Sequence, residues 1–319
     1  MDRSGTRLRG VVVPMITPLR PDGEVDEESL ARHVDHLVGA GVHGIFVLGT
    51  TGEFPFLTDA RRTTAVRTTV AAVDGRAQVV VGVADTATPR VLDHVAAVAD
   101  LPIDGVVVTA PFYAATSAPE IMEHFRLIHR TVGDIPVYAY ENPPRVNGAT
   151  LASNDLITLA SEGVIAGIKD SSGSDAQLRR HVLARRDAGL ESDFVILTGS
   201  ELTVDGALLI GVDGVVPGLG NVDPGGYVEL HSAARNGDVE RARTEQERLF
   251  RLFAITAIET THPMGPSSRA LGAFKAAAQH LGTIAHRTLA APAVPLTDED
   301  AARVTALVTR HGPTRPSES

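Results

Sequence analysis

Short apolar runs alternate along the chain with longer segments in which apolar residues recur every three or four positions. Runs of Val and Ile that are apolar throughout are typical of parallel strands buried on both faces. The longer segments have the spacing of amphipathic helices, as in the stripe formed by Leu30, Val34, Leu37 and Val38. The pattern predicts strands over residues 10–17, 44–50, 78–84, 105–110, 136–140, 164–169, 194–198 and 214–217.

The regular alternation of these elements predicts the fold class. Eight β/α units at similar spacing favour an α/β protein with a closed (β/α)8 TIM barrel over an open doubly wound sheet. After Pro224 the strand signal stops, and the pattern predicts helices over residues 238–257, 267–281 and 297–310. We therefore expect a barrel catalytic domain over residues 1–224 and an all-helical C-terminal domain over residues 225–319.

Composition excludes several classes of function. The chain contains no cysteine, which excludes disulfides, thiolate nucleophiles and cysteine-ligated zinc. A formal net charge of −10 argues against a general affinity for nucleic acid. The first ten residues lack the apolar core of a signal peptide, and no apolar run approaches the ~20 residues that span a bilayer. These observations predict a soluble cytoplasmic protein without membrane or nucleic-acid partners.

Lysine is rare in this chain. Only Lys169 and Lys275 occur among 29 basic residues, and a lysine, unlike an arginine, can be made neutral and reactive. Lys275 lies in a helical pattern and is predicted to have a structural role on a solvated or interface side of its helix. His33 and His36 also lie on an amphipathic helix, where we expect a solvated face rather than a metal site.

Lys169 ends a predicted barrel strand, where catalytic groups of such barrels lie. Gly167 shares its face of the strand and leaves space beside it. Desolvation inside an apolar barrel favours the neutral amine, which can attack a carbonyl carbon. The alternative is a structural lysine paired with Asp170.

Other predicted strand ends carry groups that suit such a reaction. Tyr140 could give and take the proton that imine formation requires, or it could be an ordinary core tyrosine. The turn at Thr50 and Thr51 could direct N–H groups and hydroxyls at a carboxylate, or it could cap a helix. Arg145 follows two prolines that fix its loop, and it could bind an anionic group or be a solvated surface residue.

Three motifs together resemble the dihydrodipicolinate synthase / N-acetylneuraminate lyase family, and the likeness runs from Leu8 to about Leu281. The motifs are Gly49-Thr50-Thr51-Gly52-Glu53, Tyr140-Glu141-Asn142-Pro143-Pro144-Arg145 and Gly167-Ile168-Lys169-Asp170. The resemblance implies a TIM barrel with a C-terminal helical domain and a homotetramer built as a dimer of dimers. It also implies a class I aldolase or lyase that acts on pyruvate or a related 2-oxo acid and needs no metal or organic cofactor.

The same resemblance implies roles for individual residues. Lys169 would form the imine, Tyr140 would relay protons, and Thr50 and Thr51 would bind the carboxylate and assist the relay. Tyr113 resembles the tyrosine that members with synthase activity contribute from a neighbouring subunit. Pocket positions are also implied for the backbone carbonyl of Val216 and, against the rest of the substrate, for Gly199 and Ser200.

The motifs depart from those of synthases in lysine biosynthesis at three positions. Those enzymes usually have asparagine, threonine and serine where this chain has Glu141, Val146 and Phe54. The differences favour a carbon–carbon or dehydrating lyase acting on sugar acids or other 2-oxo acids. Glu141 could bind a hydroxylated substrate, alter proton transfer or face away from the pocket.

Two other functions remain open at this point. The first is a 4-hydroxy-tetrahydrodipicolinate synthase that condenses pyruvate with aspartate semialdehyde. The second is a catalytically silent barrel that binds 2-oxo acids and has a regulatory role.

Overall fold

A computed structural model describes residues 7–313 and contains, within that range, eight parallel strands in a closed barrel. Each strand pairs with the next in sequence order, and the last pairs with the first. The strands are β1 (Gly10–Pro14), β2 (Gly44–Val47), β3 (Gln78–Gly82), β4 (Gly105–Thr109), β5 (Val137–Glu141), β6 (Gly167–Asp170), β7 (Val195–Thr198) and β8 (Gly214–Val215). The prediction of a (β/α)8 barrel is confirmed.

Helices follow the strands and cover the outside of the barrel. They are α1 (Glu27–Gly39), α2 (Asp59–Val73), α3 (Thr88–Ala96), α4 (Ala118–Val132), α5 (Ser153–Ser161), α6 (Asp175–Asp187) and α7 (Val204–Ile210). Strand alternation divides the core in two: Val12 belongs to the cluster inside the barrel, whereas Val11 and Val13 belong to the larger cluster beneath the helices. Both faces of the barrel strands are therefore buried, which explains the continuous apolar runs in the sequence.

The C-terminal part is helical, as expected, but it begins with a helix that the sequence pattern did not reveal. The helices are α8 (Pro224–Arg235), α9 (Val239–Phe253), α10 (Pro266–His280) and α11 (Asp298–His311). Gly225 and Gly226 weaken the helical signal of α8. A Cβ atom on Gly226 would clash with Arg248 Nη2 and lie 3.0 Å from Leu249 Cδ2, so the missing side chain lets α8 and α9 pack closely.

Helix α8 bears on the predicted division of the chain at residue 224. It packs against both β1 and α9, and it completes the eighth β/α unit of the barrel. The two-domain division stays a prediction, and residues 1–6 of the first predicted domain and 314–319 of the second lie outside the described residues. None of the helices between residues 7 and 313 is long and apolar enough to cross a membrane.

The structure buries Lys275, expected on a solvated or interface side, and His33, whose predicted solvated face is wrong. The side chain of Lys275 is 0 % exposed, forms an ion pair with Glu53 and donates to the Thr288 carbonyl at 2.7 Å. His33 is also fully buried, and its ring nitrogens lie 3.0 Å from Asn221 Oδ1 and 3.0 Å from Thr283 Oγ1. Burial lowers the pKa of His33 to about 4, so its ring is neutral at physiological pH. In both cases a segment distant in sequence covers a helix face that the local sequence pattern predicts to be polar and exposed.

Candidate active site

Lys169 and Tyr140 are direct neighbours across β5 and β6 at the carboxyl end of the barrel. The Lys169 amine lies 4.1 Å from the centroid of the Tyr140 ring and 5.2 Å from that of Phe46. Lys169 and Tyr140 are each only 7 % exposed. Aromatic faces therefore surround the amine on two sides and restrict its access to water.

The Tyr140 hydroxyl is the centre of a small hydrogen-bond network. It lies 3.2 Å from Thr50 Oγ1 and accepts a hydrogen bond from Asn142 Nδ2 at 2.9 Å. Burial by itself raises the pKa of Tyr140, but the charge of Lys169 and the hydrogen bonds from Thr50 and Asn142 lower it below its ordinary value. The phenol is therefore more acidic than usual and is linked through Thr50 to the turn after β2.

Asn142 is a residue that the sequence reasoning missed as part of this network. Its signal was its position two residues after Tyr140, just beyond the end of β5. Because β5 ends at Glu141, the chain turns there, and the amide reaches back to the Tyr140 hydroxyl.

Left-handed residues and backbone hydrogen bonds fix the conformation of the turn that carries Thr50 and Thr51. Leu48 and Glu53 adopt left-handed φ angles of 58° and 61°, which are uncommon for side-chain-bearing residues. Backbone bonds from Gly52 to the Gly49 carbonyl (3.0 Å) and from Glu53 to the Thr50 carbonyl (3.1 Å) close the turn. Both threonines stay half-buried, and Thr50 faces Tyr140. Thr51 occupies the next position of the same turn.

Glu201 is a second residue that the sequence reasoning missed. It follows Gly199 and Ser200 after β7, and its carboxylate accepts a hydrogen bond from the Leu219 N–H at 2.6 Å. Burial raises the pKa of Glu201 to about 7, although hydrogen bonds from the backbone and the charge of Lys169 oppose the rise. Near neutral pH this carboxyl group can therefore give or take a proton on the Lys169 side of the barrel.

The remaining predicted pocket residues lie close to these groups. Val216 is 4 % exposed and belongs with Tyr140 to the cluster inside the barrel. A Cβ atom on Gly199 would clash with the Ser171 hydroxyl and lie 3.1 Å from the Asp170 carbonyl oxygen, so a larger residue would require Ser171 to move. Ser200 is half-buried, and its hydroxyl lies 3.0 Å from Thr203 Oγ1.

Three predicted site residues are not gathered around Lys169. Glu141 lies on the opposite face of β5 from Tyr140, and its Oε1 accepts a hydrogen bond from Gln177 of α6 at 3.0 Å. Arg145 is exposed in the 3₁₀ turn Pro143–Arg145 and donates to Ser267 Oγ at 2.7 Å. Tyr113 is 91 % exposed, with a left-handed φ of 78°. Of the three possibilities for Glu141, this geometry favours the one in which it faces away from the pocket.

The chain is similar to proteins of one family along nearly its whole length. The model of the dihydrodipicolinate synthetase family matches residues 7–311. An uncharacterized DapA-like lyase of Halobacterium salinarum is 38% identical over 247 residues, which are 77% of this chain and 79% of the relative. A 4-hydroxy-tetrahydrodipicolinate synthase of Kosmotoga olearia is 31% identical over 273 residues, which are 83% of this chain and 91% of the relative.

Solved structures show the same likeness. The pyruvate complex of YagE, a prophage protein of the dihydrodipicolinic acid synthase family from E. coli K12, superposes with a TM-score of 0.87 at 27% identity. The match covers 96% of this chain and 99% of that one. Dihydrodipicolinate synthase of Bacteroides thetaiotaomicron gives a TM-score of 0.88 at 30% identity, covering 95% of this chain and 98% of the other.

Proposed function

The chain belongs to the dihydrodipicolinate synthetase family of class I lyases, and from that membership we propose that it cleaves or dehydrates sugar-acid-like 2-oxo acids through a Schiff base on Lys169. One observation carries the proposal. The Lys169 amine lies 4.1 Å from the ring of Tyr140, whose hydroxyl is linked to Thr50. A nucleophile, a proton carrier and a hydroxyl group would therefore act together at the carboxyl end of the barrel.

The chemistry follows from these groups. After losing its proton, the Lys169 amine attacks the 2-oxo carbon, and proton transfers through Tyr140 and Thr50 expel the oxygen as water, leaving a protonated imine. The hydroxyl group of carbon 4 then gives its proton to Tyr140, the bond between carbons 3 and 4 breaks, and the imine accepts the released electron pair. The products are an aldehyde and an enamine. Protonation of the enamine and addition of water release pyruvate and return the free amine. In dehydration, loss of a proton from carbon 3 forms the enamine, which then expels the hydroxyl group of carbon 4 as water once that oxygen has been protonated.

Recognition of the substrate's 2-oxo acid end is assigned to the turn after β2. Thr50 and Thr51 are half-buried there, beside the Tyr140 hydroxyl. Hydroxyls and backbone N–H groups suit a carboxylate, since they can donate several hydrogen bonds without a full opposing charge. The backbone carbonyl of Val216 would complete the pocket around the imine.

The preference for a hydroxylated substrate rests on the residues after β7. Ser200 and Glu201 offer a hydroxyl and a carboxyl group to the far end of the substrate, and both can accept hydrogen bonds from sugar hydroxyls. When ionised, Glu201 would also repel a second carboxylate. Arg145 is exposed and uses one guanidinium nitrogen to donate to Ser267, so its other N–H groups would serve an anionic group of the substrate.

Borohydride trapping tests the proposed covalent step. Reduction in the presence of pyruvate should add a stable label, and peptide mapping should find it on Lys169 and not on Lys275. Turnover of 3-deoxy-2-oxo sugar acids would then be measured by aldehyde release and by loss of water. A label on Lys275 alone, or full turnover by a Lys169→Ala protein, would refute the mechanism.

A second candidate is supported by the relatives named 4-hydroxy-tetrahydrodipicolinate synthase at 31% identity. Pyruvate and aspartate semialdehyde incubated with the enzyme would distinguish the two, since only a synthase forms the cyclic condensation product. If that product forms faster than any sugar acid is turned over, the enzyme is a synthase and the proposed lyase function is wrong. Imine formation without any turnover would instead support a silent regulatory barrel.

A further inference from the structure

A second cluster of ionisable groups lies behind the candidate active site, on the outer face of β5 and β6. Glu141 and Asp170 are cross-strand neighbours, directly after the pair Tyr140 and Lys169. His181 of α6 packs against both carboxylates. The side chains of Glu141, Asp170 and His181 are 5 %, 3 % and 1 % exposed. Two carboxylates are therefore buried side by side with one imidazole.

In each of these three side chains, a neighbour fixes one polar atom. Glu141 Oε1 accepts a hydrogen bond from Gln177 Nε2 at 3.0 Å, and Asp170 Oδ1 accepts one from the Ser172 N–H at 2.7 Å. His181 Nδ1 lies 2.9 Å from Ser153 Oγ. Such outer contacts are those that orient metal ligands in proteins, since they hold one atom of each group and leave the other free to coordinate.

The remaining atoms point toward one another. Among residues 7–313, Glu141 Oε2 and Asp170 Oδ2 are buried without a hydrogen-bond partner. His181 Nε2 has a long contact of 3.5 Å to Gln177 Nε2. Buried carboxylate oxygens that lack a partner are costly, because they have lost water and gained nothing in return. A cation or a proton at the point where these atoms converge would remove that cost.

The spacing of the three atoms fits a metal ion. His181 Nε2 lies 3.4 Å from Glu141 Oε2 and 3.9 Å from Asp170 Oδ2, and all three atoms lie within 4.8 Å of one another. Ligand atoms bound tetrahedrally at about 2.0–2.2 Å are separated by about 3.3–3.6 Å. The atoms therefore stand close to three corners of such a site and need to move by only a few tenths of an ångström to about 1 Å.

We propose that Glu141, Asp170 and His181 bind one divalent cation of the zinc class. The imidazole nitrogen favours zinc or a similar transition metal over magnesium or calcium, which prefer oxygen ligands alone. The cation joins the ends of β5 and β6 to α6 and thereby fixes the separation of Tyr140 and Lys169 on the other face. It takes no part in the reaction, and the proposal does not depend on which substrate the enzyme uses.

Zinc titration of the full-length protein, stripped with a chelator, tests this site. Calorimetry should show one equivalent of Zn²⁺ bound per chain, and zinc should raise the melting temperature. X-ray absorption on the loaded protein should find one imidazole nitrogen and carboxylate oxygens at about 2.0–2.2 Å. Neither readout uses catalytic activity, so a failed borohydride experiment would leave it unaffected.

Two variants locate the bound ion. Glu141→Gln and His181→Gln should each weaken zinc binding at least tenfold, because each removes one ligand. Glu123→Gln is the matched control, since that carboxylate is 51 % exposed and pairs with Arg130 on the surface. It should bind zinc like the parent protein.

The competing explanation is a doubly protonated His181 that neutralises the two carboxylates by itself. Nitrogen NMR of the zinc-free protein would then show both ring nitrogens of His181 protonated at neutral pH, with no change on addition of zinc. That result would overturn the proposal. So would binding of much less than one equivalent of zinc, or equal affinity in the parent and Glu141→Gln proteins.

Discussion

Glu53 and Lys275 form an ion pair sealed from solvent that joins the turn after β2 to helix α10. Both side chains are 0 % exposed. Glu53 Oε1 also accepts a hydrogen bond from the Ala290 N–H at 2.8 Å. Burial lowers the pKa of Lys275, and the neighbouring Glu53 carboxylate opposes that effect. The C-terminal helices therefore hold the turn that carries Thr50 and Thr51.

Removing one partner of this pair should destabilise the fold strongly. Lys275→Met would leave the Glu53 carboxylate buried without its counter-charge, which costs about 3–5 kcal/mol in free energy of unfolding. Urea unfolding would measure the loss. Arg243→Met breaks an exposed pair with Glu240 and serves as the control, with an expected loss below about 1 kcal/mol. Similar losses in the two variants would contradict the structural importance of the buried pair.

Lys169→Ala should remove covalent trapping and nearly all turnover. Without the amine no imine forms, and a fall in kcat of roughly 10⁴-fold or more is expected for a lost nucleophile. Lys169→Arg keeps the positive charge and should be equally inactive, because a guanidinium stays protonated. Stopped assays with each variant, combined with mass mapping after borohydride, provide the measurement. Substantial turnover by the arginine variant would show that charge alone is what matters.

Tyr140→Phe should slow turnover while leaving the fold intact. Loss of a general acid–base group lowers kcat by about 10²–10⁴-fold. Tyr138→Phe is a matched control on the same strand, since its buried hydroxyl accepts a hydrogen bond from the Leu8 N–H instead of contacting Thr50. Initial rates and melting temperatures of both variants would be compared. Equal rates for Tyr140→Phe and the parent enzyme would exclude the proposed proton relay.

Glu201 should make stability depend on pH in an unusual direction. Its pKa rises from an ordinary 4.5 to about 7 on folding, so the folded state binds more protons than the unfolded state between these values. Stability should therefore fall as pH rises through this window, by on the order of 1–3 kcal/mol relative to Glu201→Gln.

Urea unfolding of both proteins between pH 4.5 and 8 would test this pH dependence. The glutamine variant lacks the titrating group and supplies the baseline. A difference between the two proteins that stays constant across the range would contradict the raised pKa.

Tyr113 provides a test of the expected oligomer. Its side chain is 91 % exposed, so we propose that it enters the pocket of a neighbouring subunit in a homotetramer. Tyr113→Phe and Lys169→Ala should each be impaired alone, whereas mixed oligomers of the two should regain activity at sites where intact residues meet. Light scattering would give the oligomeric state. A monomeric protein, or mixtures no more active than their components, would refute shared sites.

Much of the barrel and part of its site could be predicted from sequence because the relevant signals are local. Continuous apolar runs specify strands buried on both faces, and parallel strands bring their carboxyl ends to one edge of the barrel. That rule placed Lys169 and Tyr140 at the ends of neighbouring strands, and the structure pairs them directly. Side chains alternate between the two faces of a strand, so an inward-facing Tyr140 also implies that Glu141 faces outward.

The tertiary structure alone decided what covers each polar face. In the sequence, nothing distinguishes Lys275, His33 and Glu201 from ordinary polar residues. Local patterns do not show which distant segment will bury each side chain and exclude water from it. Glu53 reaches Lys275, Asn221 reaches His33, and the Leu219 N–H reaches Glu201. Periodicity along the chain thus determined the barrel and its reactive edge, whereas burial, pairing and acidity arose from long-range packing, on which desolvation and charge interactions depend.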